Sequence, residues 1–183
     1  MIKVKLILSL LLLMQENGLV LTEDRLGPLD LRVLEGKNIS QQLQKAFPTS
    51  QVIRGVGQQD GPDFVYYDIK HQGEEFFTVM LNTEDSSRVS EIWISSNRIK
   101  DQHGITLGSS LESLREQLPD LRLYADLHQN IFASTASSKI LYRISANLKP
   151  LNDSTFVAPD HTIQPWQVEA ATVEHLVWRK DQY

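Results

Sequence analysis

RVSEIWISSNRIKDQHGITLGSSLESLREQLP, residues 88–119, begins as strand and ends as helix. Ile92 and Ile94 stand two apart, with Val89, Glu91 and Trp93 on the opposite face, the period-2 pattern of a pleated segment. Arg98 to Lys100 reads as a short second strand. Asp101-Gln102-His103-Gly104 supplies turn chemistry, and Ile105 and Leu107 return as strand until Gly108. Ser109-Ser110-Leu111-Glu112 then has capping-box spacing, with Ser109 as the cap of a helix through Leu111, Leu114 and Leu118 that Pro119 stops. The unit is strand, turn, strand, capped helix. It specifies a fold and no reaction.

Upstream, Leu26 to Leu34 alternates Leu29, Leu31 and Val33 with Asp30 and Arg32, an edge-strand pattern. Asn38 can cap a helix whose Ile39, Leu43, Ala46 and Phe47 form one apolar stripe ended by Pro48. Three strands follow, Gln51–Val56, Phe64–His71 and Glu75–Asn82, separated by turn residues and arranged as a meander. Downstream, Leu121 to Leu127 alternates, Gln129-Asn130 is a two-residue turn, and Ile131–Ala133 and Lys139–Ser145 are further strands. Leu148 to Gln164, with Pro150 and Pro159, reads as a long surface loop. Trp166 to Arg179 closes the pattern, with Val173, His175 and Val177 on one face and Leu176 and Trp178 on the other. The expected fold is α+β: one antiparallel sheet of about seven or eight strands with two short helices.

The chain has 183 residues, 41% hydrophobic and 22% charged, a size and composition that suit a single packed domain. Its net charge of −5, without a Lys/Arg cluster, argues against nucleic-acid binding, which draws on phosphate neutralisation. There is no Cys, so disulfides, thiolate metal sites and a Cys nucleophile are excluded. Lys3 and Lys5 precede the uncharged run Leu6–Met14, the first two regions of a secretion signal and too short to span a bilayer. Residues 15–22 offer no A-x-A-like cleavage site. The expectation is a segment 1–22, signal peptide or retained apolar segment resting on a membrane, followed by one α+β domain over 23–183. The location that follows is periplasmic.

Val89, Ile92, Ile94, Ile99, Asp101, Gly104, Ile105, Leu107 and Gly108 together write V-x-x-I-x-I-x-x-x-x-I-x-D-x-x-G-I-x-L-G. That order resembles the centre of the YfeY-like, RpoE-regulated envelope lipoproteins. The ending from Trp166 through Val177-Trp178-Arg179-Lys180 and the layout of the Phe64–Leu81 hairpin are similar to theirs. The resemblance spans roughly Leu29 to Arg179. It implies an α+β envelope protein from a family of unknown function, with no catalytic residue to carry over. This chain lacks the lipid-attachment Cys of that family, which favours a soluble exported form over an outer-membrane anchor.

The five histidines show no H-x-H, H-E-x-x-H or i, i+4 pair, so no metal or other cofactor is expected. Asp160-His161 in the long loop is the best acid/base pair on offer and, with Glu91 or another carboxylate, would serve a periplasmic hydrolase. Gly108-Ser109-Ser110 lacks the Lys and glycine spacing of a phosphate loop, and G-x-S-x-G is absent. More informative are aromatics on strand faces that should be polar. With Val65, Tyr67 and Ile69 inward, alternation turns Tyr66, Phe76, Met80 and Trp93 to the second face. Either the two helices and the C-terminal segment pack there, or those four residues line an apolar groove or partner patch. The functional expectation is a non-catalytic envelope protein that binds a partner protein or a small apolar ligand through Tyr66, Phe76, Met80 and Trp93. Its alternatives are the Asp160/His161 hydrolase and an acidic inhibitor of a cationic envelope enzyme.

Overall fold

The computed structural model describes residues 18–36, 38–58, 63–126, 128, 130–136, 138–148, 162–163 and 168–180. The meander expected after the first helix is present: β4 (Ser50–Gly57), β5 (Phe64–His71), β6 (Glu74–Leu81) and β7 (Val89–Ile94) pair in sequence, each antiparallel to the last. The second half of the chain extends this sheet. β9 (Arg122–Ala125), β10 (Ile131–Ser134) and β11 (Ile140–Leu148) form a second run, β12 (Thr162–Ile163) adds to β9, and β13 (Val168–Arg179) lies between β11 and β7. The resulting sheet has nine strands in the order β12-β9-β10-β11-β13-β7-β6-β5-β4. β12 falls inside the expected long loop, whose remaining residues, Asp160 and His161 among them, lie outside the described ones.

A second, four-stranded sheet has the order β3-β2-β1-β8, from β1 (Leu19–Leu21), β2 (Arg25–Leu26), β3 (Leu29–Asp30) and β8 (Ile99–Asp101). Its β1·β8 pair is parallel, with Leu21 beside Asp101. The boundary expected after Thr22 therefore falls inside this sheet. Leu21 is fully enclosed, and the Glu23 carbonyl accepts from Trp178 Nε1 at 2.8 Å. Leu26 to Leu34 is not one edge strand but a small hairpin that turns at Gly27 (φ +54°) and Pro28, and Val33 is 61% exposed, outside the predicted alternation. β8 likewise does not return through Ile105 and Leu107 as strand. Asp101 Oδ1 accepts from the amides of His103 and Ile105, at 2.9 and 2.8 Å, and holds the chain in a turn.

Among the described residues the helices are α1 (Ile39–Ala46) and α2 (Leu111–Gln117). α2 is capped by Ser110, which accepts from the Ser113 amide at 3.1 Å, one residue later than the spacing suggested. Ser109 is already engaged: its hydroxyl accepts from the Thr106 amide and its carbonyl from the Val173 amide. Asn38 stands at the N-cap of α1 without a side-chain capping bond.

Both helices and the small sheet pack on one face of the large sheet. Ile39 and Leu43 of α1, Leu111 and Leu114 of α2, and Leu21, Leu26 and Leu29 join Ile69, Val79, Ile92, Ile94 and Leu176 in one buried cluster. Large apolar side chains fully enclosed in this way stabilise by about 1.5–3 kcal/mol each. The expectation that the helices cover the second face is thus corrected. Among the described residues no helix and no second sheet lies over it.

Candidate partner-binding face

Strand registers decide which side chains share this open, outer face. Val177 stands opposite Trp93, and Trp93 opposite Thr78; Met80 stands opposite Glu91 and Tyr66, and Tyr66 opposite Gly55. Tyr66, Met80 and Trp93 are half-buried and lie on the outer face as expected, with Trp93 diagonal to Met80 across β6 and β7. Phe76 does not belong with them. It is 7% exposed and packs in the inner core, its ring centroid 6.4 Å from Phe47, 5.7 Å from Phe77 and 5.5 Å from His71.

The cause is a β-bulge. Ile69 pairs with Phe77 and Lys70 with Glu75, which leaves Phe76 as the extra residue that breaks alternation. The same device corrects two further expectations. Leu81 pairs with Val89 and Met80 with Glu91, so Ser90 is the extra residue and Val89 turns inward with Ile92. His175 pairs with Arg143 and Val173 with Ile144, so Glu174 is extra and Val173 points to the core, away from His175 and Val177. In each case one inserted residue flips every side chain beyond it.

The centre of the outer face carries a small apolar cluster of Phe132, Leu141 and Val177, with Trp93 and Tyr124 against it. Charged groups frame it. Glu91 accepts from Trp93 Nε1 at 2.7 Å, and its other carboxylate oxygen lies 2.7 Å from Arg179 Nε. The Arg143 guanidinium stands 5.8 Å from the Trp93 ring centroid, within cation–π range, and 3.2 Å from Glu174. The His175 ring meets Trp93 edge-on at 5.6 Å, and its Nδ1 is 3.1 Å from the Ile94 carbonyl. Glu91, proposed above as a hydrolytic carboxylate, is therefore held by Trp93 and Arg179.

Toward β4 the face is aromatic for a different reason. Gly55 and Gly57 stand opposite Tyr66 and Phe64, and the rings fold across them; a Cβ on Gly55 would collide with Tyr66 Cζ, and one on Gly57 with Phe64 Cζ. The two rings sit 6.1 Å apart. Aromatic side chains here cover glycines of an edge strand, a recurrent way to protect bare backbone. A G-x-G in one arm of a hairpin opposite F-x-Y in the other is the sequence sign of this arrangement.

A cleft of about 310 Å3 lies elsewhere, at the seam of the two sheets, lined by residues including Glu23, His103, Ser138 and Tyr142. The Tyr142 hydroxyl donates to Asp101 Oδ2 at 2.5 Å. Burial, then the charge of Asp101 and that hydrogen bond, push the Tyr142 phenol well above its ordinary 10.0. The Glu23 carboxylate accepts from Ser138 Oγ and the Lys139 amide, at 2.7 and 2.8 Å. These polar groups are satisfied by one another, and they fasten the small sheet to the large one. Among the described residues no three of His, Asp and Glu gather as a metal-holding group, and no helix is long and apolar enough to cross a membrane.

The geometry defines an α+β protein whose large antiparallel sheet carries its core on one side and a half-exposed aromatic and charged face on the other. The crystal structure of the uncharacterized protein YfeY from Escherichia coli has a similar fold, with a TM-score of 0.62 at 14% identity over 89% of this chain and 99% of that one. At that identity the likeness shows the fold, which is the one expected from the YfeY-like resemblance. No family model matches the chain, and no curated protein does.

Proposed function

We propose that this chain is an exported, non-catalytic protein of the bacterial envelope that binds a partner protein through the outer face of its large sheet, with Tyr66, Met80 and Trp93 as the principal contacts. One observation carries the reading. Those three side chains, with Ile53 beside them, form a cross-strand line on a face with no helix over it among the described residues, while the helices and the small sheet all pack on the other side. Half-exposed Trp and Tyr on a rigid sheet are the anchors that protein interfaces use most. A sheet face offers breadth rather than enclosure, which suits a protein surface better than a small apolar ligand, whose sites enclose most of it. The Lys3, Lys5 and Leu6–Met14 pattern supports export.

The test is a photo-reactive benzophenone side chain placed at position 80 and irradiated in intact cells. The reading predicts one discrete adduct with a second protein, lost when Trp93→Lys is added. An adduct confined to this chain's own residues 149–161, or none at all, would contradict it.

A further inference from the structure

We infer that β4 is a docking edge for a second copy of this chain, so that two nine-stranded sheets join antiparallel through their β4 strands. The inference stands independently of the outer-face proposal. An edge strand presents unpaired N–H and C=O groups, and soluble proteins blunt such edges by shortening, bulging or charging them. Among the described residues, both edges of the small sheet are short: β3 has two residues and β8 has three. β4 has eight, pairs with β5 through eight uninterrupted positions, and contains neither a proline nor a bulge; Arg54 is its one charge, and only at Ser50, whose amide donates to the Phe47 carbonyl and whose carbonyl accepts from Gln44 Nε2, is its backbone taken by α1 and the residue that ends it. It also holds Ile53 and Val56, 43% and 53% exposed, two of the large apolar side chains left in solvent.

The sequence of β4 is compatible with itself. Registers with β5 place Gln51, Ile53, Gly55 and Gly57 on the outer face and Val52, Arg54 and Val56 on the inner. A copy that keeps both outer faces on one side must pair odd positions with odd and even with even. A two-fold axis at Arg54 would oppose two guanidiniums, and one at Gly55 would set Ile53 beside Gly57, whose outer side the Phe64 ring already fills. An axis at Ile53 sets Ile53 on its twin, lays the Arg54 stem over Val52, and sets Gln51 beside the Tyr66 ring that covers Gly55. Arg54 has no carboxylate partner among the described residues, so this register breaks no ion pair there. The contact is isologous and closes at two copies, as a two-fold contact must. It would merge the two outer faces into one continuous surface.

Light scattering and sedimentation of the full chain at tens of micromolar test this. The wild type is expected to be a dimer, and Ile53→Lys and Ile53→Glu each a monomer with unchanged circular dichroism. Mixing the two variants in equal amounts restores a dimer, because Lys then faces Glu across the axis. Independently, the chain has no Cys, so Ile53→Cys gives a single thiol that oxidises to a covalent dimer much faster than Val33→Cys, which is more exposed but far from any axis. A monomeric wild type, an Ile53→Lys variant that stays dimeric, a variant mixture that stays monomeric, or equal oxidation of the two thiols would each overturn the inference.

Discussion

Glycines at two sites distinguish a soft contact from a hard one. At Gly55 the atoms an added methyl would meet belong to the end of the Tyr66 ring, which can swing aside, whereas at Gly18 they belong to the Arg98 carbonyl, 2.6 Å away in fixed backbone. Gly55→Ala should therefore cost no more than about 1 kcal/mol and raise the exposure of Tyr66, while Gly18→Ala should cost about 1–3 kcal/mol by overpacking; urea denaturation of the pair checks the order. Tyr142 makes a sharper case. Tyr142→Phe leaves a carboxylate oxygen of the buried Asp101 without its donor and should cost about 1–3 kcal/mol. Because the folded phenol holds its proton above the ordinary 10.0, its contribution is intact below that pH and drains as pH rises beyond it. Wild-type stability should fall steeply above pH 10.0, and Tyr142→Phe should lose that extra slope. Neither feature could be read from spacing. Asp101 and Tyr142 are 41 positions apart and meet only because two sheets stack.

Elements were legible where hydrogen bonding is local and failed where it is not. The meander from β4 to β7 follows from period-2 runs separated by turn residues, and α1 from one apolar stripe. What alternation cannot register is an inserted residue. Simple alternation puts Phe76, Val89 and Val173 on the wrong face, and each lies at or beyond a bulge in the β5·β6, β6·β7 or β11·β13 ladder. The candidate site lost Phe76 for that reason and kept Tyr66, Met80 and Trp93, which precede or avoid the shift. The N-terminal strand is another non-local pairing: Leu19–Leu21, separated from the apolar run Leu6–Met14 by Gln15 to Gly18, pairs with β8, which lies some eighty positions along the chain. A chain starting at Glu23 should melt well below one starting at Gly18, having lost β1 and the enclosed Leu21. Calorimetry of the two truncations decides whether β1 belongs to the domain.

For the molecule as a whole, the α+β class followed from composition and pattern because layers need little more than an apolar stripe on each element. Which layer the helices would cover was not legible. Both faces of the sheet carry apolar residues, and α1, α2 and the small sheet all pack on the same one. The consequence is a two-sided sheet, dry on one face and available on the other. Hydroxyl-radical footprinting read residue by residue tests that sidedness most directly. The account predicts strong oxidation of Tyr66, Met80 and Trp93 in the isolated protein, protection of all three in intact envelopes, and little labelling of Phe76, Phe77 or Tyr142 in either. Tyr66, Met80 and Trp93 as silent in the isolated protein as Phe77 would contradict it.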